Sequence, residues 1–343
     1  MATGTGLDAQ FGVGTESTFG TSVTPTRFVE FAGEGLKKDL TWLEPAGLRP
    51  GLLFKRASRV RQSRISISGD VSVEHATLGM GLLWKLALFS SLAAPTLISG
   101  SAYKQIHTPG GAVGLSFTAQ VGRPEPSTGT VRPFTLAGCK CTSWEFSLKD
   151  NAVPTLKLSV DGRSESTATA LATASYLAGA SVFDFSQATI KLGGTATTAS
   201  GETTISGGTA MATIVKDISI SGQNPMATDR FGLGNAGLKA EQLQNAIPTI
   251  TGKLSAEFAK AELYDLFSAN TTTAMQLDLT GAVIGGGNNY LLSIVIPAIK
   301  LKTAPPNVSG PGIVMMSTDF ESYSDEVNPV IQVKIVSTES TTI

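Results

Sequence analysis

The chain has 343 residues, 41% of them hydrophobic and only 15% charged, with 37 glycines. That is enough for two ordinary domains, and low charge with abundant Gly, Ser and Thr favours strands over helices or disorder. The net charge of −1, from 26 basic and 27 acidic residues, leaves no excess to hold DNA or RNA tightly.

Met1 to Asp8 lack the basic and apolar regions of a signal peptide. Residues 1–26 are rich in Gly, Thr and Ser and read as an extended N-terminal arm. Next comes a basic stretch, Arg49, Lys55, Arg56, Arg59, Arg61 and Arg64, with no acidic residue between Glu44 and Asp70. Three readings stand beside one another. It is a solvated loop, a nucleic-acid patch that lacks stacking aromatics beyond Phe54, or a contact loop that meets an acidic neighbour. Asp319, Glu321, Asp325 and Glu326 supply such a neighbour in the same sequence.

Arg64 to Glu74 alternates, with Ile65, Ile67, Val71 and Val73 on one face, as a half-buried strand does. Leu78 to Ser99 is apolar enough to suggest a membrane span, but it contains Lys85 and Pro95. The spacing of Leu78, Leu82, Leu86 and Phe89 predicts an amphipathic helix on a core instead. Cys139 and Cys141, at i and i+2 of a strand, sit too far apart for an easy bridge and read as free thiols. Trp144, Phe146 and Leu148 run into a turn at Asp150-Asn151, and Leu156, Leu158 and Val160 return as a hairpin. Residues 164–208 read as a linker or surface insertion.

The second half repeats this order: a strand from Pro248 to Phe258, a helix from Lys260 to Ser268, and strands at Met275–Val283 and Tyr290–Leu301. A last hairpin is expected near Asp325, returning through Ile331, Val333 and Ile335. Three segments match between halves. Ile67–Glu74 resembles Ile250–Glu257, Leu83–Leu86 resembles Leu263–Leu266, and Asp150–Val160 resembles Asp325–Ile335. Three matches in one order predict an internal duplication, with domains at 27–163 and 209–337 and a tail at 338–343.

No catalytic or metal site emerges. His75 and His107 are the only histidines, too few with two cysteines for a zinc site. Gly232-Leu-Gly234-Asn-Ala-Gly237 fits a dinucleotide-binding pattern, but no buried strand precedes it and no helix follows. Ser101-Ala-Tyr-Lys104 has no companion motif for a nucleophilic serine. No cofactor is expected.

Leu7–Thr21, Arg27–Phe31, Gly47–Arg49, Gly122–Pro124, Val131–Phe134, Gly138–Trp144, Val160–Arg163, Asp229-Arg230 and Thr280–Ile284 together resemble siphophage major tail proteins, the tail tube family. The resemblance implies a mainly β fold. It consists of two β-sandwich or barrel halves, each with one flanking helix, plus the arm and long loops. It also implies a virion tail location, assembly in the host cytoplasm, and stacked rings forming a hollow conduit for DNA ejection. Tape-measure and tail terminator proteins are the implied partners. On that reading DNA passes without tight binding, nothing enters a membrane, and Asp70, Glu74, Lys253 and Glu257 are candidate lumen residues. The basic stretch would join subunits or rings. A duplicated chain would close a ring from three copies with pseudo-sixfold symmetry, against six copies of an unduplicated one. The rival is a surface or secreted β-sandwich that binds carbohydrate or protein, marked by a signal peptide, aromatic platforms or calcium-ligand runs; none of these is visible.

Overall fold

The computed structural model describes residues 4–91, 94–211, 213–308 and 310–341. The first three residues of the expected arm, Leu92 and Ala93 of the apolar segment, Ala212 and Ser309 of the second half and the last two of the tail lie outside that range. Strand accounts for 49% of residues and helix for 8%, so the chain is mainly β, built from antiparallel sheets of the β-sandwich class.

In the first half the strands are β1 (Gln10–Glu16), β2 (Arg27–Val29), β3 (Gly33–Glu34), β4 (Lys37–Leu43), β5 (Arg61–Glu74), β6 (Thr96–Ser99), β7 (Ala102–His107), β8 (Ser116–Pro124), β9 (Val131–Lys149), β10 (Thr155–Gly162) and β11 (Ser164–Ser166). Helix α1 (Gly81–Leu88) lies between β5 and β6. In the second half they are β12 (Ala188–Leu192), β13 (Thr195–Ala199), β14 (Glu202–Ser206), β15 (Thr209–Ala210), β16 (Val215–Gln223), β17 (Thr249–Glu257), β18 (Thr273–Gly285), β19 (Asn288–Leu301), β20 (Pro306–Asn307), β21 (Met315–Ser322) and β22 (Gln332–Ser337). Helix α2 (Glu262–Ser268) follows β17.

Hydrogen bonding orders the first half β2-β1-β8-β9-β10-β5-β4 and the second half β15-β12-β18-β19-β21-β17-β16, all antiparallel. The registers agree as well. Ala119 faces Leu136 just past a bulge, and Met275 faces Ile296 just past the corresponding bulge. Val71 faces Leu158 where Leu254 faces Thr318. Gly69 and Gly252 hold one position of this pattern and share one close approach, although Gly69 alone has positive φ, 147°, and the Phe320 ring stands nearer still to Gly252. A Cβ on Gly69 would stand 2.2 Å from the Gly35 carbonyl oxygen, and one on Gly252 would stand 2.6 Å from that of Ser219.

The two half-sheets fuse because β9, 19 residues long, outruns β8. Its end, Ser143–Lys149, accepts β16 along the edge that β8 leaves free. A second join pairs β7 with β22, and the half-buried hairpin β13–β14 clamps both through Glu202, whose carboxylate meets Lys104 at 2.6 Å and Lys334 at 2.8 Å. Arg27 and Glu339, both nearly buried, tie the two ends of the chain at 2.9 Å.

Several expectations need correcting. Residues 10–16 of the expected arm form an inner strand, with Phe11 and Val13 buried, because β1 fills the gap between β2 and β8. The segment 164–208 contains β12, the counterpart of β1, as well as the β13–β14 hairpin. The expected hairpin near Asp325 is absent. β21 and β22 both run antiparallel to β19 and so share one direction, separated by a loop. The Asp325 carboxylate closes that loop by accepting from the backbone of Val327 and Asn328 and from the Asn328 side chain. The partner of β10 in the repeated pattern is therefore β21, and Asp150–Val160 and Asp325–Ile335 are not equivalent stretches.

The helix expected at Leu78–Ser99 forms only over Gly81–Leu88, ending at Phe89 with φ 50°. It packs on β9 and β7 and is buried nearly all round. No helix among the described residues is long and apolar enough to cross a membrane.

Candidate functional site

Alternation gives the fused sheet two unlike faces. Val71, Val73, Leu156, Leu158, Phe146, Ile220 and Leu254 are buried on one. On the other, Glu74, Thr155, Ser147, Ser219, Lys253 and Asp319 stand directly opposite one another across six strands of both halves. A parallel row runs Ser72, Lys157, Glu145, Ser221, Thr251, Glu321. The four residues singled out from sequence, Asp70, Glu74, Lys253 and Glu257, all lie on this polar face, dispersed along it rather than gathered at one point.

Acid–base neighbours neutralise much of the face. Lys157 lies 2.8 Å from Asp70 and holds its carboxyl below the usual range by a hydrogen bond. Lys302 lies 3.1 Å from Glu321, which the Tyr323 hydroxyl and this lysine keep below its ordinary value. Lys149 faces Asp217 and Lys253 faces Asp319. Asp39, Asp70, Glu74, Glu145, Asp217, Glu257, Asp319 and Glu321 are matched by Lys37, Arg64, Lys149, Lys157, Lys216, Lys253, Lys300 and Lys302, so the face is close to neutral. Cross-strand pairs of opposite charge are each worth roughly 0.2–1 kcal/mol.

At one end the loop between β16 and β17 folds over the polar face. Lys239 Nζ lies 2.6 and 2.8 Å from the two carboxylate oxygens of Asp161. Gln242 Nε2 donates to the same carboxylate at 2.7 Å and to the carbonyls of Gly138 and Asp161. Lys140, fully buried, meets Glu241 at 2.7 Å and the Gln242 carbonyl at 3.0 Å. Burial pushes the Asp161 carboxyl up and the Lys140 ammonium down, with their partners opposing both shifts. Sequence reasoning missed this cluster. Its signal was the likeness of Lys239-Ala240-Glu241-Gln242-Leu243 to Arg56-Ala57-Ser58-Arg59-Val60.

The basic stretch is not one patch. Arg49, Lys55, Arg56 and Arg59 belong to the loop between β4 and β5, where Lys55 pairs with Glu44. Arg61 and Arg64 open β5; Arg61 donates to the Val60 carbonyl, and Arg64 lies over the Phe231 ring at 4.9 Å. The same loop exposes Leu48, Leu53 and Phe54 almost completely, and every residue of β4 is exposed, Leu40 and Trp42 among them. An exposed apolar patch of this kind marks an interaction surface.

The remaining motifs show no site chemistry. His75 is buried, accepts from Trp84 Nε1 at 2.9 Å and packs on Phe146 and Phe183. Burial pushes its pKa down to about 3, as it does for His107 with help from Lys85. Cys139 and Cys141 are free and buried. Gly232–Gly237 lies within the loop between β16 and β17, and Lys104 of the Ser101–Lys104 motif is taken by Glu202. No group of His, Cys, Asp and Glu among the described residues is arranged to hold a metal ion.

Among known families, residues 6–322 match the model described as phage tail tube protein. No curated protein matches the chain. The family match spans most of the sequence, so the chain belongs to the phage tail tube protein family: it is a structural subunit of a virion tail that assembles with copies of itself into a tube, not an enzyme.

Proposed function

We propose that three chains close one ring of a siphophage tail tube, each supplying two of six approximately equivalent positions, and that stacked rings form the conduit for DNA ejection. The observation that carries this reading is the repeated ladder register. Two half-chains with one strand order, already fused edge to edge through β9 and β16, behave as two consecutive members of a cyclic array. A ring of six whole chains is the alternative, and it leaves that repetition without a role.

The polar face is the proposed lumen wall, with Asp70, Glu74, Lys253 and Glu257 on it. Its balanced surface carries Arg64 at one end, engaged over the Phe231 ring, so a passing polyanion meets few free strong phosphate partners and is not gripped. Assembly in the host cytoplasm, with a tape-measure protein inside and a terminator at the end, completes the proposed pathway.

Electron microscopy of the purified chain tests the reading. Hollow tubes are expected, with the polar sheet face inward in a reconstruction. A chain that stays monomeric at high concentration, or a channel wall dominated by Lys and Arg, contradicts it.

A further inference from the structure

We infer that the junction between the two halves of one chain is repeated between chains, with Arg56 of one subunit bound to Glu321 of the next. The inference rests on the ring reading above and adds the contact and its register.

Within the chain, β16 inserts along Ser143–Lys149 and its loop reaches over to Asp161. Among the described residues the first half presents the same parts with no strand paired to the outer edge of β4. Lys37 faces Ser68 as Ser221 faces Thr251, so the β3–β4 edge is the counterpart of β16. Counted back from the equivalent residues Ile67 and Ile250, Arg56 stands where Lys239 stands, and Arg59 where Gln242 stands. The receiving groups also recur. Asp161 faces Ser68 and Lys140; Glu321 faces Thr251 and Lys300. The Glu321 side chain is 30% exposed, whereas Asp161 is sealed under its loop.

Burial supports a second copy of this chain as the occupant. Asn224 and Met226 are 8% exposed at the inner junction, while Leu40 and Trp42, at the corresponding positions, are 37% and 54% exposed. The basic loop would compete with Lys302 for the Glu321 carboxylate, which is partly exposed and meets that lysine at 3.1 Å. The edge offered to β4 is Thr303–Asn307, which pairs only with β21 on its other side among the described residues. Pro305 and Pro306 remove two N–H donors from it, which protects the edge of a lone subunit and shifts weight onto the charged loop.

Two experiments test the assignment. Arg56→Glu and Glu321→Arg should each raise the concentration needed for assembly by about tenfold or more, since 1.4 kcal/mol lost per contact is a factor of ten. Arg56→Glu should leave the unfolding midpoint of the monomer unchanged, Glu321→Arg should lower it through loss of the Lys302 and Tyr323 contacts without unfolding the chain, and the double variant should assemble again. Separately, Asp39→Cys with Thr303→Cys places thiols at the register of Gln223 opposite Ser143, and a short thiol crosslinker should join neighbouring chains in assembled tubes. Either single charge variant assembling like wild type, or tubes of the cysteine variant that do not crosslink, overturns the assignment. Wild-type chain that builds no tubes contradicts the ring reading instead.

Discussion

Residues 44–60 and 227–243 each link the two outer strands of a half-chain, and they fare oppositely. The second loop buries its lysine and glutamine against Asp161 and Gly138 of the first half. The first loop, with arginines at the matching places, leaves Leu48, Leu53 and Phe54 in solvent. Similar chain, similar register and different exposure point to the neighbour rather than the loop: one has its partner in the same polypeptide, the other awaits one.

The strongest way to break this comparison is to remove the charge that one loop has already spent. Lys239→Ala leaves Asp161 buried without its cation and should cost about 3–5 kcal/mol in denaturant unfolding. Arg56→Ala in the unassembled chain should change stability by less than about 0.5 kcal/mol. Equal effects would mean that the two loops are not counterparts.

Acid sensitivity separates the halves next. His75 follows Glu74 where Phe258 follows Glu257, and His107 has no counterpart. Unfolded histidines take up a proton below about pH 6.5, whereas the folded ones, with pKa near 3, do not. Their contribution is fully present above pH 6.5 and is lost as pH falls toward 3, by up to roughly 1.4 kcal/mol per pH unit for each. His75→Phe should flatten the midpoint-against-pH curve of the monomer in that window; an unchanged slope would contradict the burial argument.

Much of the fold was legible because apolar residues alternate plainly in β5, β9, β10, β17 and β18 and form a nearly continuous apolar run in β19. What escaped was organisation set by distant contacts. β1 looked like an arm because its glycines dilute the pattern, yet β2 and β8 bury it from both sides. β21 and β22 looked like a hairpin because a turn-forming Asp325 sits between two apolar runs, and no local signal told that both runs pair with β19. The polar face was foreseen in four residues, since alternation alone identifies it. The buried Lys239–Asp161 pair was not, because the likeness of the two loops relates them to each other but does not name the carboxylate that a loop lysine will meet.

Two smaller effects sharpen the comparison. Gly69→Ala and Gly252→Ala should both destabilise the monomer, by roughly 1–3 kcal/mol, because each Cβ would strike a backbone carbonyl at the same place in its half. A neutral result at one of them would show that the close approach is not shared. Arg64→Ala should cost only about 0.5–1 kcal/mol through loss of the contact with Phe231, read from the unfolding midpoint.

Ring stoichiometry is the most direct test of whether one chain serves as two subunits. A reconstruction of the assembled tube without imposed symmetry should show three chains per ring, with the β9–β16 junction inside each chain alternating with a similar junction between chains. Six whole chains per ring, or interchain contacts unrelated to the inner junction, would contradict the account.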